Sequence, residues 1–171
     1  MPTEMGEYLV GAYLKLVLGC SVVDYNARPQ GGGLQGLGEL DVIGFDFVNR
    51  NVYLCEVTTH LDGLLIGGGG EATIAKLADK HARQKLYAER HLHLPNFNAR
   101  FMFWSPVVRP GLVSPLKGIG FELFINRVYR DAIDELRVLA SSSTSDANNP
   151  AFRLLQILEH MREPTGERSA L

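Results

Sequence analysis

The chain has 171 residues, with 17 lysines and arginines against 19 aspartates and glutamates, a formal charge of −2. Apolar residues make up 46% and charged residues 21%; this fits one globular domain and excludes a disordered chain, a collagen-like fibre and a disulfide-framed mini-protein. No apolar run is long enough to span a bilayer, and residues 1–6 lack the basic start and hydrophobic stretch of a signal peptide, so the expected location is cytoplasmic with no membrane partner. A surface of this charge does not hold nucleic acid by bulk attraction, so any such contact must be local or metal-assisted.

In chain order, residues 3–18 predict a helix. Met5, Leu9, Ala12, Tyr13, Leu16 and Val17 recur at helical spacing, Thr3 is the expected cap, Glu4 and Glu7 suit the first turns, and Gly19 is the stop. Residues 20–25 predict a short strand, and residues 26–38, with five glycines and one proline, a loop. Residues 39–48 and 51–59 predict paired strands around a turn at Asn49-Arg50-Asn51, since asparagine tolerates positive φ. After a glycine-rich stretch over 60–70, residues 71–93 predict the longest helix, with Ile74, Leu77, Ala78, Ala82 and Leu86 facing inward and Pro95 ending it. Residues 99–104 predict a strand, 106–115 a loop extended around Val107 and Val108, 120–125 a strand and 126–140 a helix. A polar linker over 141–149 precedes a helix over 150–161 that opens on Pro150, and residues 163–171 read as a tail. The order predicts the α/β class: a mixed central sheet flanked by helices over 1–140, then the linker and a C-terminal helix and tail over 150–171. Cys20 and Cys55 lie in apolar strand-like segments without zinc spacing and read as reduced, buried thiols.

Three acids attract interest: Glu39, Asp41 and Glu56 sit within strand patterns, where carboxylates are scarce. Val52, Leu54, Glu56 and Thr58 share one strand face, and Tyr53, Cys55 and Val57 the other. Both faces are apolar, so this strand is expected at the sheet centre, where a carboxylate is costly unless paired or bound to a cation. With a turn centred on Asn49-Arg50, opposed residue numbers sum to 99, and Asp41 and Glu56 become diagonal neighbours on one face, ~7 Å apart at Cβ. A slip of one residue would separate them.

The segment Gly38-Glu39-Leu40-Asp41-Val42-Ile43-Gly44, followed by Tyr53-Leu54-Cys55-Glu56-Val57-Thr58-Thr59-His60, resembles the core of the PD-(D/E)XK nuclease superfamily. The likeness is to its small bacterial endonuclease-like members and the archaeal Holliday-junction resolvases. Gly6-Glu7, Tyr13-Leu14-Lys15, Gly19-Cys20 and Asn26-Ala27-Arg28 are similar to that family's first helix and the loop after it. The resemblance spans roughly residues 5–105. It implies a restriction-endonuclease-like fold and a magnesium- or manganese-dependent endonuclease acting on DNA. It also implies Asp41, Glu56 and the Val57 carbonyl as metal ligands, and Glu7 as an auxiliary acid reaching the metal through water. Small nucleases of this fold often dimerise, which extends the expectation to a homodimer. The C-terminal helix, with Phe152, Leu154, Leu155, Ile157 and Leu158, is apolar enough to be its docking element.

One position departs from the family pattern. The lysine two residues after the glutamate is Thr58 here, which brings a hydroxyl but no charge. Either a lysine on the following helix substitutes, or the chain is a catalytically inactive module that binds nucleic acid or a protein partner. That helix carries Lys76, Lys80 and Gln84 at i, i+4 spacing, with Tyr87 three residues on; Lys80 is the expected substitute. The plainer readings are a dipole-stabilising carboxylate for Glu7, an exposed strand-end residue for Glu39, a solvated helix face for Lys76 and Lys80, and a loop residue for His60. His81, His91 and His93 do not converge as a zinc site. The glycines at 67–70 lack the Lys-Ser/Thr of a phosphate-binding loop. Arg83, Lys85, Arg90 and Arg100 read as a mixed charged surface.

Overall fold

In a computed structural model, residues 3–28, 39–63, 68–92 and 95–162 are described. The five-stranded sheet runs in sequence order, β1 (Val22–Ala27), β2 (Leu40–Asp46), β3 (Asn51–Val57), β4 (Asn98–Ser105) and β5 (Glu122–Ile125). The first three strands pair antiparallel, while β3–β4 and β4–β5 pair parallel. This is a mixed sheet flanked by helices, the coarse architecture the element order predicts.

Among the described residues five helices cover the sheet: α1 (Met5–Leu16), α2 (Gly70–His91), α3 (Pro110–Lys117), α4 (Arg127–Ser142) and α5 (Pro150–His160). On one face Val10, Leu14, Val42, Tyr53, Cys55, Trp104, Leu136 and Phe152 form a core that joins α1, α4 and α5 to the sheet. On the other face α2 and α3 bring Leu77, Leu112 and Leu116 onto Phe103, and Tyr87 and Ala88 onto Ile43, Val52 and Leu54. The alternation expected for β3 therefore holds, and its five central residues are buried. Cys20 and Cys55 are free thiols, both buried.

α1 lies close against β1. A Cβ at Gly11 would stand 2.0 Å from the Tyr25 hydroxyl and 2.6 Å from ring carbons. That same hydroxyl accepts from Asn149 Nδ2 at 3.2 Å, while Asn149 Oδ1 caps α5 by accepting from the Phe152 N–H at 2.9 Å. One buried asparagine thus ties the last helix to the first strand. Among the described helices none is long and apolar enough to cross a membrane.

Several local expectations are corrected. Glu4, not Thr3, is the residue before α1, and the Glu7 carboxylate folds back to accept from the Glu4 N–H at 3.0 Å. The β2–β3 turn occupies residues 47–50, and Arg50 rather than an asparagine takes positive φ, +54°. Asp46 fixes that turn by accepting from the N–H groups of Val48 and Asn49, each at 3.0 Å. α2 buries Thr73, Leu77, His81 and Gln84, while Ala78 and Ala82 are exposed. The stretch expected as loop contains α3, with Pro110 in its first turn and Pro115 inside it; burial of Leu112 and Leu116, one turn apart, offsets the proline's missing N–H. The expected linker starts later than 141, because α4 runs to Ser142. Most of the glycine-rich loop (29–38), residues 64–67, His93 and the tail (163–171) lie outside the described residues.

Candidate metal centre

The turn over 47–50 sets the register of β2 against β3. Val42 opposes Cys55, Ile43 opposes Leu54 and Asp46 opposes Asn51, so partner numbers sum to 97 rather than 99. A shift of two preserves which face each residue takes. It carries Asp41 from a diagonal position to one directly opposite Glu56. The correction thus tightens the pair: opposed residues on one face stand closer than diagonal ones.

The Val57 N–H donates to Asp41 Oδ2 at 2.7 Å, holding the Asp41 side chain over the end of β3. Glu56 is 5% exposed. Burial, then the neighbouring Asp41 charge, pushes its carboxyl up to about 7. Asp41 is also raised, first by burial, against the opposing pull of the Val57 N–H and Lys80. Two acids that resist ionisation side by side are the mark of a site short of positive charge.

Lys80 supplies part of that charge. It projects from α2, and its Nζ donates to Glu56 Oε1. Its side chain is 45% exposed against 7% for Glu56, so the ammonium reaches in from solvent to a buried partner. Burial lowers its proton affinity, but the Glu56 and Asp41 charges outweigh this, and the net direction is upward. The anchor for this reach is the inward face of α2, where Leu77, His81 and Gln84 are all buried.

Glu7 stands at the start of α1. A Cβ on Gly6 would lie 2.1 Å from Thr59 Cγ2, so only glycine lets the helix start approach the segment after β3 without a shift. Glu7 Oε2 accepts from Asn26 Nδ2 at 3.3 Å, and that amide also donates to Thr3 Oγ1 at 3.1 Å. Burial raises the Glu7 carboxyl, and the Asp41 charge adds to it; the Glu4 N–H pulls the other way. Asn26 holds φ at +53°, a conformation asparagine accepts with less strain than most residues. In the sequence Asn26 marks only the start of the loop. Its role as a tether for Glu7 depends on a contact 19 residues distant, which no local pattern signals.

Thr58 follows β3, with its N–H donating to the Trp104 carbonyl at 2.9 Å and its hydroxyl buried without a hydrogen-bond partner. Lys76 is exposed. Gln84 is 2% exposed, and neither end of its amide has a partner. Tyr87 packs with Leu54 and Ile43. Glu39 accepts from Arg28 at 3.1 Å, and His60 is exposed. Within the expected basic surface, Arg83 pairs with Asp79 and Arg100 with Glu122. Of the lysines singled out on α2, Lys80 is thus the one set against the carboxylates.

Among the described residues no group of three or more His, Cys, Asp or Glu gathers as a ready metal cage. The oxygen donors in reach are the facing carboxylates of Asp41 and Glu56, with Glu7 nearby. This chemistry fits a hard divalent ion that keeps much of its water, as magnesium does on one or two carboxylates. A cleft of about 410 Å³ lies elsewhere, lined by Val52, Lys85, Ala88, Glu89, Phe97 and Phe101 among others, and Asp41, Glu56 and Glu7 are not in its lining. The chain matches no family model, no curated protein and no solved structure.

Proposed function

We propose that the chain is a magnesium- or manganese-dependent nuclease of the PD-(D/E)XK type, with a restriction-endonuclease-like fold, hydrolysing phosphodiester bonds in DNA. The observation that carries this reading is Lys80 on Glu56, directly across from Asp41. It supplies from α2 the positive charge that the family places two residues after the glutamate, where this chain has Thr58. In this reading Asp41, Glu56 and the Val57 carbonyl hold the ion. Glu7 orders a water beside it. When bound, the ion lowers the pKa of a water and offsets phosphate charge. Lys80 orients the attacking water and faces the negative charge that grows on the phosphoryl oxygens. Local charge of this kind supports work on a polyanion by a chain whose formal charge is −2.

The test is nicking of supercoiled DNA with magnesium or manganese by the wild type and by Asp41→Ala, Glu56→Ala and Lys80→Ala. The two acid variants are expected to lose metal binding and cleavage together. Lys80→Ala is expected to keep metal binding and lose cleavage ~100-fold or more. Cleavage that survives Asp41→Ala and Glu56→Ala would sink the reading.

A second reading is supported by Thr58 itself, whose uncharged hydroxyl stands unpartnered where the family lysine would be. It makes the chain a non-cutting module that binds nucleic acid or a protein partner. Retained DNA affinity with no nicking under either metal favours it.

A further inference from the structure

We propose that Lys80 is the resident cation of the carboxylate pair, holding Glu56 when no metal is bound and leaving it when a divalent ion arrives. The inference rests on the metal-site reading above and adds an exchange to it. Glu56 Oε1 is held by the Lys80 ammonium, and Asp41 Oδ2 by the Val57 N–H. A divalent ion shared by these two acids draws on the same carboxylates. Two positive charges on one buried carboxylate repel each other strongly, so loading the ion favours outward movement of the ammonium.

The local structure permits that exchange. The backbone of α2 is pinned by Leu77, His81 and Gln84, at 0%, 4% and 2% exposure, whereas the Lys80 side chain is 45% exposed. Its flexible four-carbon stem can withdraw without moving the helix. The groups facing the ammonium are Glu56 and Asp41 from the sheet and Arg83 on its own helix, the last repelling it. The Val57 N–H bond to Asp41 survives the exchange, since it comes from backbone. Lys80 therefore does two jobs in turn: it neutralises a buried acid in the metal-free protein, and it becomes available to substrate only once the ion has replaced it. Loading of the ion is then coupled to release of the lysine.

The experiment is a titration of the full chain with magnesium chloride, following affinity by calorimetry and the lysine side-chain resonances by NMR. The Lys80 signal is assigned by its loss in Lys80→Met. The expected result is a shift of that signal which saturates with the calorimetric binding curve, together with about tenfold tighter magnesium binding in Lys80→Met, ~1.4 kcal/mol. Magnesium binding to the wild type with an unmoved Lys80 signal overturns the exchange and leaves the metal site standing. No binding to the wild type overturns the metal site itself, and the exchange with it. Where Lys80→Met fails to fold, Lys80→Arg supplies the assignment, and the wild-type resonance then decides the question.

Discussion

The two ends of β2 carry the same residue in opposite circumstances. Asp46 sits at the hairpin turn, where the N–H groups of Val48 and Asn49 and the Asn49 amide all donate to it. Those bonds hold its carboxyl below the ordinary range. Asp41, at the strand's other end, has one backbone donor and a second carboxylate directly across from it, and its carboxyl is raised. Asp46 is thus a finished structural device whose demand for donors is met within the hairpin. Asp41 is left with a demand that the fold meets only partly, through the half-exposed Lys80. In the proposed reading, that unmet demand is what a bound divalent ion would satisfy.

The sharpest way to break this contrast is to exchange the charge at each end. Asp41→Asn is expected to abolish measurable divalent-ion binding and reduce nicking ~100-fold or more, with thermal stability unchanged or raised, because a buried like-charge pair is relieved. Asp46→Asn is expected to do the reverse, lowering Tm while leaving ion affinity intact. Calorimetry on both variants reads the two effects together. A fall in ion affinity for Asp46→Asn equal to that for Asp41→Asn would show that the two ends are not separable.

Acidity provides the next test, because the two ends titrate in opposite directions. Glu56 binds its proton more tightly folded than unfolded, with a folded value of about 7 against an ordinary 4.5. Its contribution is therefore full below pH 4.5 and is lost as the pH rises towards 7; at 1.36 kcal/mol per pKa unit this amounts to ~3 kcal/mol. Asp46 does the opposite: its contribution is present at neutral pH and is lost as the medium falls through its lowered folded value. Chemical denaturation of the metal-free protein should show stability falling between pH 4.5 and 7, and magnesium affinity should rise across the same interval as Glu56 ionises. Glu56→Gln should remove the decline. A decline that persists in Glu56→Gln belongs to another group.

The parity of the site was legible in the sequence, but its register was not. Alternation along β2 and β3 puts Asp41 and Glu56 on one face whatever the even shift, so the pairing survived a misplaced turn centre. The turn is centred one residue earlier than Asn49-Arg50, and Arg50 rather than an asparagine takes the positive φ. Asp46, whose three accepted bonds define that turn, lies inside the predicted strand 39–48, and no local pattern marks it as a turn residue. On α2 the apolar pattern selected Ala78 and Ala82, whereas the fold buries His81 and Gln84. The His81 ring packs on Phe101 and Phe121, at centroid distances of 5.3 and 4.6 Å, a use of histidine as an aromatic body that hydrophobicity does not register. That same rotation of α2 aims Lys80 at Glu56. α3 was hidden by its two prolines, since its helix is stabilised by tertiary burial rather than by propensity.

The smallest expected effect concerns how Glu7 is kept near the raised end of β2. Asn26 bridges Glu7 and Thr3 from β1, 19 and 23 residues away in the chain. Replacing it by alanine would mix loss of the amide with strain at φ +53°, so glycine is the cleaner change: it removes the side chain and accepts the backbone angle. One hydrogen bond to a charged group is worth ~1.5–3 kcal/mol where buried, and the part-buried Glu7 places Asn26→Gly at the lower end or below. Stability should fall by about 1 kcal/mol, and magnesium affinity by a few-fold, because in the proposed reading Glu7 would act on the ion only through water. The loss of magnesium affinity should disappear when Glu7 is already alanine, and the loss of stability should shrink to the part that the Thr3 bond supplies. A full, additive loss in the double variant would mean that Asn26 serves β1 itself, and that the helix start alone keeps Glu7 in place.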